Sequence, residues 1–243
     1  MQDYIDSMDK DSAFHPRYRS SSQNEGRHLP PQHESNPQRV CGTEDVMEVR
    51  RPENWKREEK FTMLKGGKGY TIADIEALPE GERAELIDGE LFRMDAPTWT
   101  HQDILTQMMI EISLYIRKKK GKCRVLPAPF AVYIKKDNRN YVEPDISVIC
   151  DEKKKSEKGC QGAPDWMIEI VSPSSKKMDY ERKVTLYREA GAREYWIVDP
   201  ETEMVTLYEF EQNSAPERYS FSERIKVGIF VDLWLCLAEM DIS

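Results

Sequence analysis

No apolar run in this 243-residue chain approaches the ~20 residues that a membrane-spanning helix requires. The opening MQDYIDSMDKDS lacks a basic stretch followed by an apolar one, so no secretory signal is expected and a cytoplasmic setting is predicted. Cysteine is scarce: Cys41, Cys123, Cys150, Cys160 and Cys236. Their number is odd, no CxxC pair occurs and no histidine stands at zinc-finger spacing from them. Neither a zinc site nor a disulfide framework is therefore expected, and reduced, mostly buried thiols are. A GxxxxGK[ST] phosphate loop is missing, Gly66-Gly67-Lys68-Gly69 reading as linker. There is no GxSxG elbow, so Ser172 in Val-Ser-Pro-Ser is read as turn chemistry rather than as a nucleophile. No organic cofactor is expected, and internal repeats are absent. A basic surplus is missing too: the net charge is -8. Phosphate binding usually leaves a basic footprint, so a nucleic-acid partner would have to be met by a local groove.

Hydrophobic residues make up 39% of the chain and charged residues 33%, enough apolar material for one core. The composition divides at about residue 68. Residues 1–68 are rich in Ser, Asn, Gln, Pro, Arg and His and poor in large apolar side chains. They cannot bury enough surface to offset their ordering entropy, and a disordered polar tail is expected. The widely spaced His15, His28 and His33 read as solvated linker residues. Residues 69–243 are expected to form one domain.

Within that domain Thr71 can cap a short helix over IADIEALPE. Asp88-Gly89 between Glu85-Leu86-Ile87 and Glu90-Leu91-Phe92 is a strong hairpin signal. Ile104, Leu105, Met108, Met109, Ile112 and Ile116 recur at helical spacing, predicting a long helix over 98–120. Gly121 can end it. CRVLPAPFAVYI reads as a strand broken at its prolines, VEPDISVIC and DWMIEIVS as strands, and the charged segment between those two as a loop. KKMDYERKVTLYREAG predicts an amphipathic helix stopped at Gly191, and EYWIVDP a central strand. MVTLYEFEQ and ERYSFSE suggest a hairpin, and GIFVDLWLCLAEM an apolar tail that packs on the domain. The fold class that follows is α/β, a mixed sheet flanked by helices.

Asp145 and Glu169 lie on strands. Glu169 has apolar neighbours without alternation, which suggests a strand buried on both faces. A carboxylate there needs a partner, and a metal ion or a Lys or Arg is the natural candidate. Asp179, Lys183 and Tyr187 share one helix face. Asp179 and Lys183 can form a simple i,i+4 pair, and Tyr187 reads as packing.

Taken together, the stretches ELIDGE, a histidine early in a long helix, PDISV, EIVSPS, D-x-x-x-K-x-x-x-Y-x-x-x-G and EYWIVDP closely resemble the Uma-two family. These are bacterial, restriction-endonuclease-type proteins of the PD-(D/E)XK nuclease superfamily. The resemblance covers roughly residues 70–243. It implies a restriction-endonuclease-like core, with Asp145 as the motif aspartate and Glu169 as the second acid. The usual lysine two residues after that acid is Val171 here. The family is understood to carry it on the next helix, where Lys183 matches. Glu85 matches the upstream acid, with Glu90 as the substitute, and His101 the helix-start histidine. Tyr187 and Asp179 are supporting members. The implied activity is Mg²⁺- or Mn²⁺-dependent hydrolysis of DNA phosphodiester bonds. Asp145, Glu169 and the backbone carbonyl of Ile170 would hold the ion. DNA is the implied partner, and a homodimer is an option open to enzymes that cut both strands. The acidic balance and displaced lysine leave a second reading open: a nuclease-fold module that binds nucleic acid or a protein without cleaving.

Overall fold

The structure is a computed structural model that describes residues 69–212 and 214–242. The tail expected over 1–68 lies outside the described residues.

Thr71 opens the short helix α1 (Ile72–Glu76) with a capping box to Asp74. The predicted hairpin forms from β1 (Ala84–Ile87) and β2 (Glu90–Arg93). Asp88 and Gly89 take φ of 53° and 81°, the left-handed pair that a two-residue hairpin turn requires. Helix α2 (Trp99–Lys118) begins at Thr98, whose hydroxyl accepts the His101 backbone N–H. It buries Ile104, Leu105, Met108, Ile112 and Ile116, the predicted stripe with Met109 at its half-buried margin.

The broken strand becomes β3 (Arg124–Pro127) and β4 (Val132–Tyr133), separated around the Ala128-Pro129 cis bond. Then come β5 (Ile146–Ile149) and β8 (Trp166–Ile170), both fully buried. The charged segment between them is not merely a loop. It contains β6 (Lys155–Ser156) and β7 (Gly159–Gln161), which join β4 in a small three-stranded sheet. Gly159, at φ 134°, lies so close to the Ala131 carbonyl that a Cβ would stand 2.2 Å from it, which explains how so polar a segment seats there.

The predicted second long helix is composite. A π-helical turn (Met178–Lys183) leads into α3 (Val184–Glu189), and Gly191, at φ 83°, follows the stop. Strand β9 (Glu194–Asp199) is buried throughout, and β10 (Met204–Glu209) with β11 (Glu217–Ser220) forms the expected hairpin. The apolar C-terminal segment packs through the pair β12 (Ile225–Lys226) and β13 (Trp234–Leu235), with Leu233, Leu235 and Leu237 buried.

The central sheet has six strands in the order β11-β10-β9-β8-β5-β3. Only β8 and β9 run parallel, linked through the π-helical turn and α3. One face carries Ile146, Val148, Trp166, Ile168, Trp196 and Val198 against α2 and the C-terminal segment. The other carries Met167, Val171, Tyr195 and Ile197 against α3 and the β1 hairpin. Strand alternation puts Glu169 on this second face.

One expectation is corrected. Cys123 and Cys150 form a disulfide with Cα atoms 4.0 Å apart. The register Arg124↔Ile149 brings them opposite each other one step beyond the β3–β5 ladder. Spacing along the chain cannot reveal a pair made by strand register. Cys160 and Cys236 are the buried free thiols among the described residues.

Candidate active site

The ladder between β5 and β8 decides the position of the two strand acids. Its register, Ile146↔Ile168, sets Asp145 opposite Glu169 at the next step. Asp145 Oδ2 accepts the Ile170 N–H at 2.8 Å and lies 3.1 Å from His101 Nε2. His101 thus serves twice: its backbone caps α2 and its ring reaches the strand acid. Burial alone would lower the His101 pKa, but Asp145, Gln102 and the Ile170 backbone together hold it above its ordinary value.

Glu169 Oε1 accepts the Tyr187 hydroxyl at 2.6 Å and the Lys183 ammonium at 3.0 Å. Lys183 Nζ also lies 2.9 Å from Glu85 Oε2 and 3.3 Å from Asp179 Oδ1. Glu85, Glu169, Asp179 and Lys183 are all buried. Glu85 reaches in from the hairpin, its Oε1 accepting the Glu143 N–H at 3.0 Å. The candidate substitute Glu90 instead points outward to Arg182. The π-helical turn delivers Asp179 and Lys183, and the next turn Tyr187. Lys183 is therefore no surface lysine. Asp179 and Lys183 form the expected i,i+4 pair, here buried, and the Tyr187 hydroxyl, read from sequence as packing, binds a site carboxylate.

Burial drives the electrostatics of this cluster. It raises the Glu169 carboxyl well above the usual range against the pull of Lys183, and Asp179, Asp145 and Glu85 push the same way. Burial likewise raises Asp179. Desolvation opposes the charge on Lys183, but Glu169, Glu85 and Asp179 outweigh it and keep the ammonium protonated. Tyr187 is held protonated by burial and by the same carboxylates.

All of these groups except Tyr187 line a cavity of about 1080 Å³. Its wall carries Glu85, Asp95, Asp145, Glu169, Asp179 and Glu201 against Arg83, Arg93 and Lys183, an excess of negative charge. Among the described residues no three His, Cys, Asp or Glu side chains group closely enough to hold an ion by themselves. The chemistry of the donors nevertheless suits a hard cation. The polar contacts of Asp145 fall on Oδ2 and those of Glu169 on Oε1. Oδ1 and Oε2 remain for a ligand, and Mg²⁺ characteristically keeps several waters alongside one or two carboxylates.

Sequence reasoning passed over the layer behind Glu85. Arg83 donates to Glu143 through Nε at 2.9 Å, and Tyr141 donates to the other Glu143 oxygen at 2.7 Å. The signal was present: Glu143 is an acid two residues before Asp145, in a segment otherwise built for burial.

The family described as "Uma2: Putative restriction endonuclease" matches residues 72–238. The chain belongs to this family. It is 24% identical over 128 residues to the uncharacterized protein slr1290 of Synechocystis sp., a match that covers 52% of this chain and 66% of that protein. Its fold is similar to the crystal structure of "a putative nuclease belonging to DUF820" from Anabaena variabilis. The TM-score is 0.58 and the identity 22%, with 70% of this chain and 96% of that chain covered. The domain therefore has the nuclease-like α/β core that its sequence predicted. No helix among the described residues is long and apolar enough to cross a membrane.

Proposed function

We propose that this member of the family is a divalent-metal-dependent nuclease that hydrolyses DNA phosphodiester bonds in the cavity lined by Asp145 and Glu169. The observation that carries the reading is the opposed pair Asp145–Glu169 with a buried, protonated Lys183 beside it, in a cavity whose carboxylates exceed its cations. Such a surplus repels a phosphodiester unless a cation joins it. Asp145, Glu169 and the Ile170 carbonyl would hold Mg²⁺ or Mn²⁺, with the His101 ring adjacent to the same group. When bound, the ion supplies a polarised phosphate and a water of lowered pKa.

The chain's own residues do the rest. The Ile170 N–H and His101 fix Asp145 through one oxygen and leave the other for the cavity. Tyr187 fixes Glu169 in the same way. The Glu143 backbone aims Glu85, which can hold an attacking water. Lys183 supplies a fixed positive charge that offsets negative charge developing at phosphorus-bound oxygens.

The second reading, a non-cleaving nuclease-fold module, draws on one observation: three carboxylates surround the Lys183 ammonium, so the lysine is satisfied without substrate. Calorimetric titration with Mn²⁺ separates the two. The nuclease reading expects saturable binding to the wild-type protein, lost in both Asp145→Asn and Glu169→Gln. Absence of binding by the wild type, or unaltered binding in both variants, favours the module.

A further inference from the structure

Next to the catalytic cavity runs a second depression of about 410 Å³, walled by the π-helical turn on one side and the β10–β11 hairpin on the other. The two share a rim. Ser172–Ser175, Asp179 and Glu201 line the cavity, and their chain neighbours Lys176 and Tyr180 line the groove with Asp199. Lys176 ties the rim together, its Nζ lying 2.9 Å from Asp199 and 3.5 Å from Glu201. This rim offers a strand whose phosphate sat at Asp145 and Glu169 a way from the cavity into the groove.

The character of the groove differs from that of the cavity. Its charged residues are Lys176, Asp199 and Arg218. Burial would raise the Asp199 carboxyl, but Lys176 and the Thr202 N–H, which donates to it at 3.4 Å, hold it below the usual range, so it is already neutralised within the protein. Arg218 is exposed on the edge strand and has no salt bridge among the described residues. Two phenols, Tyr180 and Tyr208, wall the groove, and Tyr208 is braced by stacking on Tyr195 at 5.9 Å. Between them and Arg218, Thr206 is 3% exposed and its hydroxyl has no hydrogen-bond partner among the described residues. A buried hydroxyl without a partner costs free energy unless a ligand or water completes it.

We infer that this groove binds one unpaired nucleotide of the substrate strand, next to the phosphate held in the cavity. The inference rests on the nuclease reading. Arg218 suits a phosphate, the phenols suit a base, and Thr206 suits a polar edge. Sequence-tolerant recognition of single strands combines such cationic and aromatic groups. The groove is at the small end of ligand pockets, enough for one nucleotide. The preferred substrate is therefore a single strand or an unpaired end, and not intact duplex.

Fluorescence anisotropy of the full chain with labelled oligothymidylate and with a duplex of equal length, both with Ca²⁺ as the cation and with the DNA checked intact on a gel afterwards, tests this. The wild type is expected to prefer the single strand. Arg218→Glu and Tyr180→Leu are each expected to weaken that binding by about tenfold. Arg218→Ala is expected to make the salt dependence shallower by roughly 0.7 in the log–log slope. Unchanged melting temperatures establish that the variants fold. Equal binding by the variants, or tighter binding of duplex by the wild type, overturns the inference. If the protein cleaves with metal while the variants bind normally, the groove alone is refuted. If the groove residues govern binding but no metal supports cleavage, the nuclease reading alone is refuted.

Discussion

An ammonium buried among carboxylates is costly unless every charge finds a partner, and at Lys183 the partners are Glu85, Glu169 and Asp179. Removing the cation would leave three buried acids facing one another. Lys183→Met is expected to destabilise the domain by about 3–5 kcal/mol near neutral pH, measured by urea denaturation. The sign with pH follows from linkage. Loss of the cation lifts the folded Glu169 and Asp179 carboxyls, already raised by burial, further above their unfolded values. The penalty is therefore greatest at high pH, shrinks as pH falls through the raised folded values, and is at its smallest once pH is below the unfolded value of about 4.3. A variant as stable as the wild type at pH 8 would mean that the cluster is already relieved by protonation. At this scale the sequence was partly legible. Glu169 stood out because its apolar neighbours implied burial on both faces, and Lys183 because its helix offered the lysine missing at Val171. The roles of the Tyr187 hydroxyl and of Glu143 were not legible, because they depend on which way a side chain turns once the sheet and helix have packed.

Secondary-structure elements set these side chains, and two features of the sheet can be tested at their own scale. The Cys123–Cys150 disulfide closes a sequence separation of 27 residues and joins β3 to β5, the strand that follows Asp145. In the chain-entropy account a loop of this length contributes about 3–4 kcal/mol through the unfolded state. Reduction with dithiothreitol is expected to lower the melting temperature, and Cys123→Ser to abolish that sensitivity; a melt unaffected by reductant would contradict the pairing.

Glu194, at the start of β9, holds the C-terminal segment by accepting the Ile229 N–H at 2.9 Å, and it also accepts the Trp196 indole N–H at 2.6 Å. Burial raises its carboxyl to about 7 from 4.5. A raised folded pKa gives stability that is complete below the unfolded value and is lost as pH rises through the folded one. Stability should thus decline between about pH 4.5 and 7, by roughly 3 kcal/mol for this group. Glu194→Gln should flatten that decline in denaturant titrations at pH 5.5 and 8, whatever its effect on absolute stability; an unchanged slope would place the titration elsewhere.

Hairpin, long helix and central strands were readable from periodicity and turn residues. The π-helical turn was not, since its residues satisfy an α-helical pattern equally well. The β6–β7 pair was hidden because its charged sequence suits a loop, and only Gly159 against Ala131 permits the seating.

At the scale of the whole molecule, a sheet packed on both faces brings acids from a hairpin, two strands and a helical turn into one cavity, although the chain as a whole carries -8. Net charge read from composition argued against a nucleic-acid partner. The distribution of charge is more informative: a carboxylate-rich cavity adjoins a groove that holds Arg218, which has no salt bridge among the described residues. Chain order made the α/β class legible, and the family resemblance named Glu85 and Lys183 for one site; packing brings them, nearly a hundred residues apart in the chain, to 2.9 Å. The most direct test of the cavity as a phosphodiesterase is a cleavage assay of the full chain on plasmid and on single-stranded circular DNA. Each substrate is incubated with Mg²⁺, with Mn²⁺ and with EDTA. The expected result is cleavage with a divalent ion, none with EDTA, and none in Asp145→Ala or Glu169→Ala; cleavage in EDTA, or undiminished cleavage by both variants, would contradict the account.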